Sequence, residues 1–239
     1  MTYQTVFKRY ELKYMITQSQ KEKILKAIDP YMALDEYGRT TIRNIYYDTN
    51  HYRLIRRSIE KPVYKEKLRV RSYEKAGSDS PVFVELKKKY HDVVYKRRLL
   101  LPESNAMDWL AGNAAIRQKT QISDEISYFM SYYQTLHPVV FLSYEREAFY
   151  SRNGDDFRIT FDDAILCRQE ALTLRADAWG TPILPTGKIL MELKCSGGIP
   201  MWMVKVLSEE RIYKTSFSKY GTAYQTIIHP QLKEVAIYA

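Results

Sequence analysis

The sequence predicts an α+β chain built around an antiparallel β-barrel or tunnel of about eight strands, with a charged interior and helices covering its outside. Three observations carry that prediction. Segments alternating with a two-residue period recur along the chain, their polar faces are mostly Arg and Lys, and capped helical stretches punctuate them. The 239 residues are 45% hydrophobic and 27% charged, with nine Gly and nine Pro, which excludes disorder, collagen and low-complexity arrays. No run approaches the roughly 18 apolar residues of a membrane span, and the first ten residues lack the apolar core of a signal peptide. Cys167 and Cys195 are too few for a disulfide framework and have no metal-ligand spacing, so a cytoplasmic location is expected. Lys plus Arg number 37 against 28 Asp plus Glu, a formal net charge of +9. That favours an anionic partner without choosing among nucleic acid, anionic lipid and a phosphate compound.

Taken in order, residues 7–14 (FKRYELKY) set Arg9, Glu11 and Lys13 against Tyr10, Leu12 and Tyr14. Thr17 to Gln20 resembles a capping box, which predicts a helix over about 18–29. Tyr46, Tyr47 and Asp48 read as the end of a core strand. In residues 64–71 (YKEKLRVR) one face carries Lys65, Lys67, Arg69 and Arg71, and the other is largely apolar. Residues 82–89 (VFVELKKK) place Glu85, Lys87 and Lys89 opposite Val82, Val84 and Leu86. Ser104 is expected to cap a short helix through Trp109 and Leu110, and Ser123 another carrying Ile126, Phe129, Met130 and Tyr133.

The run 140–148 puts Tyr144 and Arg146 on one face. Residues 157–162 set Arg158, Thr160 and Asp162 against Phe157, Ile159 and Phe161, and 189–195 set Glu192 and Lys194 against Met191, Leu193 and Cys195. Pro200 suits the first turn of a helix with Trp202, Val206 and Leu207, and a last helix is expected within 218–228. The stretches 75–81, 151–156 and 179–188 read as loops, since Gly, Asn, Asp and Pro supply turn conformations. None divides the chain, so residues 1–239 are expected to form one domain.

Any one such strand reads most simply as half-solvated. Together they do not, because a solvent face normally mixes neutral polar residues with both charge signs. Here Arg9, Lys13, Lys65, Lys67, Arg69, Arg71, Lys87, Lys89, Arg146, Arg158 and Lys194 face only Glu11, Glu85, Asp162 and Glu192. Converged without a ligand, these cations would repel one another. A barrel with its polar faces turned inward has room for one small ligand and leaves no open edge. A phosphate chain suits such an interior, since Arg binds oxygens as a fork and Lys as a mobile point charge. The carboxylates then point to a hard divalent cation between them and the phosphates, with Glu192, Glu11 and Glu85 as candidate ligands. A salt bridge to a neighbouring Lys or Arg is the competing account of Glu11 and Glu85.

Segments 9–14 (RYELKY), 42–49 (IRNIYYDT), 65–73 (KEKLRVRSY), 82–89, 94–98 (VYKRR), 144–150 (YEREAFY), 158–163 (RITFDD), 189–200 (ILMELKCSGGIP) and 216–224 (SFSKYGTAY) resemble the VTC domain. That is the polyphosphate polymerase domain of the vacuolar transporter chaperone complex, known also as stand-alone bacterial proteins. It belongs to the CYTH, or triphosphate tunnel metalloenzyme, superfamily. The resemblance implies metal-dependent transfer of the ATP γ-phosphate to a growing polyphosphate chain, with Mn²⁺ or Mg²⁺ as cofactor. ATP and inorganic polyphosphate or pyrophosphate are the implied partners, and no nucleic acid is expected. By motif, it implies catalytic roles for Lys13, Arg69, Arg71, Arg146 and Arg158. Phosphate contacts fall to Arg9, Lys67, Lys87, Lys96, Arg98, Lys194, Ser218 and Lys219, and Glu192 matches the metal-binding glutamate.

Hydrolytic tunnel enzymes carry ExExK in the first strand, where this chain reads Arg9, Glu11 and Lys13. Losing one carboxylate favours the transferase over a two-metal hydrolase. The other readings are a tripolyphosphate or nucleoside triphosphate hydrolase, a binding module without catalysis, and a single-strand nucleic-acid groove of basic residues interleaved with Tyr. The four histidines are spread out and read as structural or solvent-facing.

Overall fold

The computed structural model describes residues 6–91, 93–116 and 119–238, with side chains from Tyr10 to Lys233. Its centre is a closed antiparallel ring. Strand β1 (Val6–Thr17) leads into helix α1 (Gln18–Ile28), strand β2 (Met32–Asp48) and helix α2 (Arg53–Ile59). Strands β3 (Tyr64–Ser72), β4 (Pro81–Tyr90) and β5 (Val93–Pro102) follow as a meander, then helices α3 (Glu103–Leu110) and α4 (Gln121–Tyr133). Strands β6 (His137–Ser151) and β7 (Arg158–Arg168), the two-residue strand β8 (Thr181–Pro182) and strand β9 (Lys188–Cys195) complete the sheet. Helices α5 (Met201–Glu209) and α6 (Lys219–Ala223), a π-helical turn (Tyr224–Ile228) and helix α7 (His229–Tyr238) end the chain.

The strand order is β6-β2-β3-β4-β5-β1-β9-β7-β8, and a further β6–β7 pairing joins the row back on itself. Eight strands therefore close, with β8 as an appendage on β7. Closure satisfies the backbone groups that an open edge would leave unpaired. The odd–even alternation decides which side chains go in. Outward residues Leu68, Val70, Val84 and Leu86 pack under Trp109, Leu110, Ile126 and Phe129 of α3 and α4. Across the ring, Ile16, Met191, Leu193 and Ile159 pack under Ile24 and Ile28 of α1 and Met203 and Leu207 of α5.

One end of the ring is filled. Leu142, Tyr144 and Leu190 continue the inward-facing rows and pack with Ile55 of α2, Tyr220 and Ala223 of α6, and Tyr224 and Ile228 of the π turn. The buried Asp48 fixes this plug. Its carboxylate accepts from the amides of Thr49, Leu54 and Ile55 and from the Tyr220 hydroxyl.

Several local expectations shift. Helix α1 matches, with Thr17 and Gln20 in a reciprocal capping box. Ser104 is not a cap. Pro102 precedes α3, and the Glu103 and Ser104 amides donate to the carbonyls of Ser80 and Ser78 in the preceding loop. Ser123 is the inner member of a box whose cap is Thr120, so α4 starts at Gln121. Pro200 stands one position before α5 rather than inside it. The strand over 42–48 is the end of the 17-residue β2, and the segment 179–188 contains β8. No described helix is long and apolar enough to cross a membrane.

Candidate functional site: a cationic tunnel

Register brings the inward side chains into cross-strand layers. Lys13 pairs with Glu192 and Glu11 with Lys194 across β1 and β9. Lys67 pairs with Lys87, Arg69 with Glu85 and Arg71 with Phe83 across β3 and β4. Glu85 also faces Arg98, and Lys87 faces Lys96, across β5. Arg146 faces Asp162, and Arg158 faces Lys194. The tunnel thus collects the sequence-predicted site residues. Arg9 lies on β1, but its side chain is outside the described residues.

Three buried carboxylates organise the cations. Glu85 is fully buried and meets Arg69 at 2.6 Å, Lys96 at 3.3 Å and Arg71 at 3.9 Å. Burial alone would raise its pKa, yet Arg71, Arg69 and Lys96 hold it well below the usual carboxylate range. Asp162, also fully buried, accepts two N–H bonds from Arg146 at 2.6 and 2.7 Å and one from Lys219 at 2.5 Å. Glu192 is looser, with the ammonium groups of Lys194, Lys13 and Lys219 at 3.3, 3.5 and 3.7 Å. Glu11 takes Lys87 at 2.6 Å.

Neutral groups complete the wall. Arg69 donates to the Tyr46 hydroxyl, Arg71 to Asn44 Oδ1 and the Tyr144 hydroxyl, and Lys194 to Thr160 Oγ1. Burial opposes ionisation of Tyr144, but Arg146, Arg71 and Lys219 draw its phenol below its ordinary pKa. Arg98 lies over the Phe83 ring at 4.6 Å. The plug closes on the same site. Lys13 donates to the Phe217 carbonyl at 2.6 Å, and Lys67 donates to Ser218 Oγ at 2.9 Å.

Sequence reasoning put Asp162 and Tyr144 on inward faces but gave them no role, and left Tyr46 and Asn44 out of the site. Asp162 and Tyr144 carried the signal of sharing a face with Arg158 and Arg146. For Tyr46 and Asn44 no charge marks the inward row.

The positive charge is not fully answered. Lys67 and Arg158 have no ion-pair partner among the described residues, and Arg158 is exposed at the end away from the plug. Burial first, then Lys13, Lys87, Lys65 and Arg69, depress the Lys67 pKa well below its ordinary value. Burial likewise brings Lys96 down to about 7, against the opposing pull of Glu85. An interior that strains to keep its lysines protonated is one an entering polyanion would stabilise.

A profile described as VTC domain matches residues 8–228. The chain belongs to the VTC domain family. The fold also resembles a proposed adenylate cyclase from Bacillus halodurans, at 13% identity and a TM-score of 0.57, covering 90% of this chain and 96% of that one. A second likeness is HpAC1 of Hippeastrum, a proposed adenylyl cyclase in which triphosphatase activity is dominant. It shares 13% identity with a TM-score of 0.54, over 91% of this chain and 95% of that one. No curated protein matches the chain. The triphosphate tunnel fold of this VTC domain thus agrees with its eight-stranded ring.

The metal implied by the family can be tested against the donors present. Among the described residues no three His, Cys, Asp or Glu side chains form a cation cage. Mg²⁺ and Mn²⁺ bound with substrate phosphates need only one or two carboxylates. Glu192, met among the described residues by ammonium groups at 3.3 to 3.7 Å, fits, with Glu11 diagonal to it on β1. Glu85 does not fit, because Arg69 and Lys96 already occupy the oxygens of its fully buried carboxylate, and it is left out of the candidate metal set.

The carboxylates set an acid limit. Burial raises the pKa values of Glu11 and Asp162, but Lys87 and Arg146, respectively, lead the cations that bring each down to about 2, from 4.5 and 3.8. Between those values the unfolded chain binds protons the folded chain refuses. Their contribution is therefore complete above about pH 4.5 and is lost as pH falls toward 2. Urea midpoints of the VTC domain measured over that window should fall steadily, and a flat profile would contradict these pairings.

Proposed function

We propose that this VTC domain is a polyphosphate polymerase, transferring the ATP γ-phosphate to the terminal phosphate of a growing chain inside the tunnel. The observation that supports the reading most strongly is the convergence of Arg69, Arg71, Arg146, Arg158, Lys13 and Lys67 on one lumen. Its buried carboxylates answer only part of that charge. The nucleophile, a terminal phosphate oxygen, is already ionised at neutral pH, so no general base is required. Catalysis is then positioning and charge neutralisation. Arg69, Arg71, Arg146 and Arg158 would orient the phosphates, with Lys13 at the reacting group. Lys67, Lys87, Lys96, Arg98, Lys194, Ser218 and Lys219 would line the path. Glu192, aided by Glu11, would hold Mg²⁺ or Mn²⁺, which when bound neutralises phosphate charge.

Purified protein with ATP and Mn²⁺ tests this, following orthophosphate and gel-resolved polyphosphate together. Polyphosphate with little orthophosphate supports the polymerase. Orthophosphate alone would make it a triphosphate hydrolase, the second reading, favoured by the activity described for HpAC1. Neither product, with tripolyphosphate still raising the melting temperature, would leave a binding module.

Two further results are expected. Glu192→Gln should remove the metal dependence of turnover while leaving the melting temperature within a few degrees, since even its nearest cation, Lys194, stands 3.3 Å away. Unchanged metal activation would exclude it as a ligand. Lys96, brought down to about 7, should regain its proton when phosphates enter. Tripolyphosphate binding at about pH 8 should then take up protons, seen as a binding enthalpy that varies with buffer ionisation enthalpy. The same enthalpy in every buffer would count against it.

A further inference from the structure

A second cationic feature lies outside the tunnel. Arg53, Arg56 and Arg57 stand at i, i+3 and i+4 on α2, so they share one face. Ile55 faces elsewhere, into the plug, which turns the arginine face away from the lumen. All three arginines are exposed, and none has an ion-pair partner among the described residues. They border an open pocket of about 520 Å³ together with His51, Glu60 and Tyr133. Arg53 is held against the wall, its guanidinium 5.4 Å from the Tyr133 ring centre and 5.9 Å from that of Tyr132. Tyr133 is itself fixed by its hydroxyl bond to Glu66, which also accepts from Tyr64.

Like charges three and four apart on a helix destabilise it. Arg56 and Arg57 gain something from lying in the last turn, where cations complement the helix dipole. That accounts for neither Arg53 nor the concavity. The lining carries one carboxylate, Glu60, and no aliphatic side chain, so it is poorly suited to an apolar peptide. Its volume falls within the range of small-molecule sites, and guanidinium forks match phosphate oxygens.

We propose that the α2 pocket is a second anion site, separate from the tunnel, that takes a small molecule carrying two or more phosphate groups. Arg56 and Arg57 supply the mobile forks, and Arg53, stacked on the tyrosines, supplies a fixed one. A free phosphate chain and a nucleotide share this chemistry, and the arms of the test separate them.

The test is calorimetric titration of the whole chain with inorganic tripolyphosphate, and in parallel with ATP. The wild type should bind two equivalents of tripolyphosphate and the double variant R56E/R57E one, with a melting temperature lowered by no more than a few degrees, because both residues are exposed and only the helix-dipole contribution of the last turn is lost. Arg53→Ala provides a milder check, weakening one equivalent by tenfold or more. If ATP loses an equivalent as tripolyphosphate does, the pocket reads phosphate alone. A loss confined to ATP would show that it needs the nucleoside, and one confined to tripolyphosphate that it excludes it. An R56E/R57E isotherm with the wild-type number of equivalents for both probes, even at altered affinity, would overturn the proposal. If the tunnel reading is the one at fault, the wild type would bind one equivalent and R56E/R57E none, and the outer site would stand.

Discussion

On the polymerase function proposed above, Arg69→Ala should reduce phosphoryl transfer by about 10²–10³-fold in kcat, the scale of losing one preorganised donor to transition-state charge, roughly 2.7–4 kcal/mol. Arg69 sits at the middle of the lumen, its Nε and Nη2 on Glu85 and its Nη1 on the Tyr46 hydroxyl. Those contacts fix the plane of the guanidinium before substrate arrives, which is why a single truncation should be costly. They also show what truncation leaves behind. Glu85 keeps Lys96 at 3.3 Å and Arg71 at 3.9 Å, so its carboxylate stays compensated and the protein should remain folded. Arg69→Lys separates the two contributions, because it preserves charge but not the fork. It should recover part of the stability and little of the rate. Steady-state kinetics of polyphosphate formation, read beside the melting temperature, check both. Wild-type turnover in soluble Arg69→Ala would remove this residue from the machinery.

Arg69 was legible in the sequence because its strand states its own geometry. Lys65, Lys67, Arg69 and Arg71 alternate with Tyr64, Glu66, Leu68 and Val70, and set beside the other cationic strands this face reads as turned inward. Charge made the lumen visible, and where the lumen is neutral the signal fails. Strand β2 enters through Asn44 and Tyr46, which accept hydrogen bonds from Arg71 and Arg69 yet read as ordinary strand residues. Its irregular first half, where the register with β6 shifts between Leu34 and Arg39, breaks the alternation further.

The plug was hidden for a different reason. Nothing local in residues 216–224 says that Tyr220 will reach Asp48 across 172 positions, or that Ser218 and Lys219 will diverge to Lys67 and Asp162. Closure of the ring creates the cavity they fill, and that is a property of the sheet. Ser104 failed as a cap on similar grounds, since its helix takes its first acceptors from the distant-strand loop at Ser78 and Ser80.

Asp162→Ala should be the most destabilising single change in the lumen, by about 3–5 kcal/mol, the scale of breaking a buried pair by removing one partner. Its carboxylate is fully buried and joins three elements, with Arg146 on β6 and Lys219 on α6 converging on β7. Truncation leaves a guanidinium and an ammonium buried together, with only Glu192 near Lys219, at 3.7 Å. For a chain of this size each kcal/mol moves Tm by about 2–4 °C, so a fall of about 6–20 °C is expected. Asp162→Asn keeps the volume and one acceptor but not the charge, and should fall between the two. Because the defect is excess positive charge, an anion in the lumen should repair it. Saturating tripolyphosphate should therefore raise Tm by more in Asp162→Ala than in wild type, whereas a variant weakened only by lost packing would gain no more than wild type. A loss below about 1 kcal/mol, or equal ligand shifts in the two proteins, would mean that Arg146 and Lys219 do not depend on this carboxylate for their place in the tunnel.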